Sequence, residues 1–175
     1  MSRRIVAVMG SDLSSAEDQR AAELLGEALA NEGWVVLTGG RIGARRTTVM
    51  HLVLAGAKRV KNSVTVGVLP YERENEQVSE RADVRIFTGM NEARNVINVL
   101  SGDVVIAFGQ ITPGTASEIA LALKAEKPVL LYRADDKAAA LFTSIGTSPA
   151  RVVASLEELM AEVKRHIEPG PAWTI

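Results

Sequence analysis

The chain has 175 residues, of which 47% are hydrophobic and 23% charged, with a formal net charge of −1 and no cysteine. That length suits one domain with one sizeable core, and the charge balance gives no bulk attraction to nucleic acid or to an anionic membrane surface. Without cysteine there is no disulfide framework, no thiolate nucleophile and no cysteine metal site. The leading apolar run 5–8 is too short for a signal peptide or a membrane span, so a cytoplasmic location is the expectation.

Short β-branched runs alternate with longer helical periods along the chain. A strand is predicted over 5–9. It leads through Gly10-Ser11-Asp12-Leu13-Ser14-Ser15 into a helix over 16–31, whose Ala21, Leu24, Leu25, Ala28 and Leu29 share one face. Ser14 with Glu17 fits a capping box at that helix start. A second strand, 34–37, is followed by Thr38-Gly39-Gly40-Arg41-Ile42-Gly43 and a helix over 47–57. A third strand, 64–69, precedes a polar, charged loop over 71–81, and a fourth spans 84–87. A helix over 92–101 then leads to a strand over 104–107, a helix over 116–125, strands at 129–132 and 152–153, and a helix over 156–167. Most strands read as continuous apolar runs, as parallel strands buried on both faces require. The fold class is therefore α/β: a three-layer α/β/α Rossmann-like sandwich around a mostly parallel sheet of about seven strands. Residues 1–167 are expected to form a single ligand-binding domain. Residues 168–175, with Pro169, Gly170, Pro171 and Trp173, read as a C-terminal tail.

In open α/β sheets, ligands bind beyond the carboxyl ends of the strands. Three such segments carry the signal. Gly10 and Ser11 follow the first strand, where small residues and a helix N-terminus can hold an anion. Gly39 and Gly40 follow the second, with Arg41, Arg45 and Arg46 around them. Cations at a helix start oppose its dipole unless an anion sits there. Gly109 follows the fifth strand, and Pro113, Gly114 and Thr115 then open the next helix as an anion cradle. Glu118 reads either as half of a Thr115–Glu118 capping box or as a carboxylate facing a ligand, and spacing alone favours the cap. Arg94 and Asn95 fall in the first turns of a helix, where an arginine needs a partner; Glu92 and Asp103 are candidates. His51 and His166 read as structural, and no ligand cluster for a protein-bound metal is evident.

Thr38-Gly39-Gly40, Gly67-Val68-Leu69-Pro70, Ala93-Arg94-Asn95 and Pro113-Gly114-Thr115 with Glu118 together resemble the lysine-decarboxylase-like, "lonely guy" superfamily of Rossmann proteins over roughly residues 4–165. The combination of Thr88-Gly89-Met90, Ala93-Arg94-Asn95 and the segment 114–120 is most similar to the molybdenum cofactor carrier branch. That resemblance implies binding, protection and delivery of a pterin bearing a dithiolene and a phosphate, with molybdoenzymes as acceptors. It also implies a homodimer or homotetramer. The implied site comprises Gly10, Ser11, Gly39, Gly40, Arg41, Arg94, Asn95, Gly109, Pro113, Gly114, Thr115 and Glu118. The wider superfamily implies an alternative, a nucleoside-monophosphate phosphoribohydrolase with Arg94 and Glu118 as catalytic pair. Its motif has Pro-Gly-Gly where Gln110, Ile111 and Thr112 stand here, which favours a carrier without turnover. A nucleotide-binding sensor would use the same cradle.

Overall fold

The computed structural model of the chain describes residues 3–43, 45–146, 148 and 150–167. Its strands are β1 (Ile5–Gly10), β2 (Val35–Thr38), β3 (Val64–Leu69), β4 (Val84–Phe87), β5 (Val104–Phe108), β6 (Val129–Tyr132) and β7 (Arg151–Val153). They form one sheet in the order β4-β3-β2-β1-β5-β6-β7, and every pairing is parallel. The helices are α1 (Ala16–Asn31), α2 (Val49–Ala57), α3 (Asn95–Ser101), α4 (Pro113–Lys124), α5 (Asp136–Ser144) and α6 (Leu156–Ile167). The expected tail, with Trp173, lies outside the described residues.

The continuous apolar runs have the predicted cause: the central strands are covered on both sides. Val6, Val8, Ile106 and Phe108 pack under α1, α2 and α6, while Ala7, Met9, Val105 and Ala107 pack under α3, α4 and α5. Leu25 and Leu29 of α1 are fully buried, each worth roughly 1.5–3 kcal/mol of apolar transfer. Helices α1 and α2 approach so closely that a Cβ on Gly26 would stand 1.9 Å from the Val53 carbonyl oxygen. Only glycine permits that approach.

Several boundaries differ from expectation. The second strand begins at Val35 rather than Trp34 and runs to Thr38, and β1 and β5 each extend one residue further, to Gly10 and Phe108. The second helix starts at Val49, because Thr48 caps it by accepting from the His51 amide. Ser15, rather than Ser14, caps α1, accepting from the Asp18 amide at 2.9 Å. A 3-10 turn over Asn91–Arg94 replaces the first turn of the predicted 92–101 helix. Helix α5 has no counterpart among the predicted elements; it is short and sets Phe142, with Ala138 and Ala139 partly buried, against the core.

The chain winds outward from β1 to β4, then returns to place β5 on the other side of β1. The strand order thus reverses between β1 and β5. Loops leaving these two strands diverge there and open a crevice.

Candidate functional site

A cleft of about 650 Å³, counting its part open to solvent, occupies that crevice. Gly10 and Ser11 line it from the end of β1, Arg41 and Gly43 from the loop after β2, and Met50 from α2. Arg94 and Asn95 enter where the 3-10 turn joins α3, and Gly114, Thr115 and Glu118 line it from the first turns of α4.

Arg94 is 4% exposed, and its Nε and Nη1 have no hydrogen-bond partner among the described residues. Its Nη1 lies 3.6 Å from Glu118 Oε1, an ion pair too long to be a hydrogen bond. Glu118 is therefore the partner of Arg94, in place of the surface acids Glu92 or Asp103; Asp103 instead pairs with Arg4 and accepts from the Ile5 amide. Room for the guanidinium comes from Gly39. A Cβ there would stand 2.7 Å from both Nη1 and Nη2 of Arg94, and 2.6 Å from Met50 Sδ.

Glu118 accepts one hydrogen bond among the described residues, from Asn98 Nδ2 to Oε1 at 3.1 Å. Burial raises its pKa to about 7, against the opposing pull of that hydrogen bond and of the Arg94 charge. The same burial lowers the Arg94 pKa, with Glu118 opposing. A guanidinium still keeps its proton across the physiological range.

The start of α4 corrects one expectation. Thr112 is the N-cap, its side chain makes no capping hydrogen bond, and Pro113 follows at the first helical position. Thr115 therefore sits inside the first turn, and the Thr115–Glu118 capping box does not form. Glu118 turns to Arg94 and Asn98 instead. Gly114 and Thr115, in the first turn of α4, both line the cleft, and a helix N-terminus is a place that suits a phosphate.

Of the three arginines after β2, Arg41 alone lines the cleft. Its Nε is buried without a hydrogen-bond partner among the described residues. Arg46 pairs with Glu80, and Arg45 borders a separate depression with Asp12, Leu13 and Gln19. Arg41 is held by the segment 71–81, which docks on its loop. The Ser79 amide donates to the Gly40 carbonyl at 2.8 Å and the Ile42 amide to the Gln77 carbonyl at 3.0 Å. Buried His51 supports this dock from below, its Nδ1 lying 3.0 Å from Ser79 Oγ.

The structure thus gathers Gly10, Ser11, Arg41, Arg94, Asn95, Gly114, Thr115 and Glu118 around one cleft. Gly39, Gly40, Gly109 and Pro113 do not line it. Gly39 lies behind Arg94, Gly40 packs on Gly67 and Leu69, Gly109 faces Leu13, and Pro113 is exposed. Asp12, Thr48, Met50 and Thr112, which the sequence does not mark, also line the cleft, as does Glu92, which the sequence marks only as an ion-pair candidate for Arg94. A run of motif glycines draws attention to the loops, whereas these residues sit at element edges with no spacing signature.

Residues 3–160 match the SLOG cluster4 family along almost the whole fold. The chain belongs to that family. Within this fold the chain is similar to the molybdenum cofactor binding protein of the phototrophic bacterium Rippkaea orientalis. The two share 40% identity, covering 96% of this chain and 99% of that one, with a TM-score of 0.85. It is also similar to the molybdenum cofactor carrier protein of Chlamydomonas reinhardtii, at 38% identity over 94% of this chain and 99% of that one, TM-score 0.83. An uncharacterized protein of Archaeoglobus fulgidus is 40% identical over 124 residues, 71% of this chain and 76% of that protein. Among the described residues of this SLOG cluster4 member, no helix is long and apolar enough to cross a membrane.

Proposed function

We propose that this protein binds the molybdenum cofactor as cargo, protects it and passes it to molybdoenzymes without chemical turnover. One observation carries the reading. Arg94 lines the cleft almost wholly buried, its Nε and Nη1 without a hydrogen-bond partner among the described residues, opposite a helix start whose N-cap side chain makes no capping bond. Buried cationic donors are rarely left unpaired, so the cleft is complementary to an anionic, acceptor-rich ligand. The two similar carrier and binding proteins supply the identity of that ligand. Arg41 and the amides of Gly114 and Thr115 would take the phosphate. The cofactor brings its own dithiolene to the metal, so no protein sulfur is required.

The exposed edge strand β4 supports a homodimer or homotetramer. Val84 and Ile86 are 48% and 43% exposed, an apolar surface that a second copy would cover. A light-scattering mass equal to one chain would remove that part of the proposal.

The decisive experiment titrates purified protein with molybdenum cofactor under anaerobic conditions, beside adenosine monophosphate with an assay for released base. Saturable cofactor binding with slowed decay and no base release is expected. Absence of saturable cofactor binding would overturn the proposal. The meeting of Arg94 and Glu118 in one cleft favours a second reading, N-glycosidic hydrolysis of nucleoside monophosphates. Base release that disappears in Glu118→Gln would establish it. A nucleotide bound without either signal would leave a sensor.

A further inference from the structure

Beside the donors that a phosphate would take, the wall of the cleft carries unmet acceptors, which a phosphate does not satisfy. Asn95 is 4% exposed, and its Nδ2 donates to Ser117 Oγ at 3.2 Å. Its Oδ1 is buried with no hydrogen-bond partner among the described residues. One turn further along α3, behind the cleft lining, Asn98 is fully buried, spends its Nδ2 on Glu118 Oε1 and likewise leaves its Oδ1 without a partner among the described residues. Glu118 Oε2 accepts no hydrogen bond among the described residues. The seam between α3 and α4 thus presents acceptors from Asn95 and Glu118 next to the unpartnered Nε and Nη1 donors of Arg94. Phosphate and carboxylate ligands offer only acceptors and would repel the first two groups. A ligand that satisfies all three has adjacent N–H donors followed by an acceptor.

We infer that this seam reads the 2-amino-4-oxopyrimidine edge of a fused heterocycle, with Glu118 and Asn95 accepting its two N–H donors and Arg94 donating to its carbonyl. Asn98 acts as a positioning residue that aims the Glu118 carboxylate. The inference rests on the carrier reading for its natural ligand, since the pterin of the proposed cargo carries this edge. Guanine carries the same edge and adenine does not. Adenine presents an acceptor beside its amino group, so it offers no second N–H to the Glu118–Asn95 wall and leaves the orphaned atoms unmet.

The test compares GMP and AMP, which share ribose and phosphate and differ at the ring edge. Isothermal titration of the full-length protein should give GMP an affinity about tenfold to a hundredfold above AMP, the range for a good bidentate pair. Glu118→Gln replaces one acceptor by a donor. It should bring the GMP-to-AMP ratio close to one. Should that variant not fold, Asn95→Ala removes the other acceptor and is expected to lower the same ratio. Asn98→Ala should lower the ratio as well, which a merely structural role would not do. Equal affinities, an AMP preference, absence of GMP binding at millimolar concentration, or an unchanged ratio in these variants would each overturn the inference.

The cofactor arm separates this failure from failure of the carrier reading. Cofactor bound equally by wild type and Glu118→Gln would sink the edge assignment and leave the carrier standing. A GMP preference without cofactor binding would do the reverse.

Discussion

Arg94 Nη1 and Glu118 Oε1 stand 3.6 Å apart, with both residues almost sealed from solvent and no hydrogen bond between them. Such a pair stabilises the fold little, because burying both charges costs as much as their attraction returns. Arg94 also keeps two N–H groups unsatisfied, a further penalty. Arg94→Met is therefore expected to keep folding stability within about 1 kcal/mol of the parent, or to raise it, at pH 6, where Glu118 can take a proton. Its cofactor affinity is expected to fall at least about tenfold, since the deleted donors are charge-assisted. Urea unfolding at pH 6 beside an anaerobic titration measures both. A variant that loses stability heavily while holding cofactor as before would assign Arg94 to the fold rather than the ligand.

The same pair sets a pH dependence. Glu118 has an ordinary pKa of 4.5, raised to about 7 in the folded protein by burial. Between those values the folded state binds more protons than the unfolded chain, so stability falls as pH rises through that window. The upper bound on the loss is about 3 kcal/mol. Glu118→Gln should flatten that slope. Ligand affinity should move the opposite way. A ligand that donates to the carboxylate prefers it ionised, so affinity weakens as pH falls below about 7. Affinity that rises on acidification would mean that Glu118 serves as a donor.

Much of this architecture is legible in the sequence, and the exceptions have particular causes. Runs such as Val104-Val105-Ile106-Ala107 announce buried parallel strands because both faces are covered. Pro113 marks the start of α4 more faithfully than Thr115 does, since proline fits the first helical position and Thr115 is one turn too late. Arg94 and Glu118 are legible as candidates, but their pairing depends on how α3 meets α4. Asn98 is illegible. A polar residue between Ile97 and Val99 reads as solvent-facing, and only the tertiary arrangement buries it against Glu118.

Gly39 offers a steric test of the same site. An added Cβ meets the far ends of two flexible side chains, Arg94 and Met50, rather than backbone. Gly39→Ala should therefore fold, with a cost of about 1–3 kcal/mol from overpacking, while pushing the guanidinium out of register. Cofactor affinity should fall by more than the stability loss explains. A crystal structure of the variant with Arg94 unmoved and affinity intact would show that the guanidinium position is not critical.

The dock between Ser79 and His51 makes the last prediction. Both residues are buried, and the Ser79 backbone holds Gly40 in the loop that presents Arg41. Ser79→Ala leaves His51 Nδ1 without that partner, at about 1–3 kcal/mol, and loosens the loop. Cofactor affinity should drop several-fold through Arg41, although Ser79 lies outside the cleft lining. Burial also lowers the His51 pKa from 6.5. A depressed histidine keeps the folded state neutral, so its contribution to stability is present above 6.5 and is lost as pH falls through the folded value. This slope opposes that of Glu118 over part of the same window. Urea unfolding of Glu118→Gln as a function of pH should therefore expose it, with stability declining on acidification below 6.5. His51→Gln in that background should make the decline shallower, leaving the part that His166, whose pKa burial also lowers, contributes. An unchanged decline in the double variant would assign it to His166 or another group.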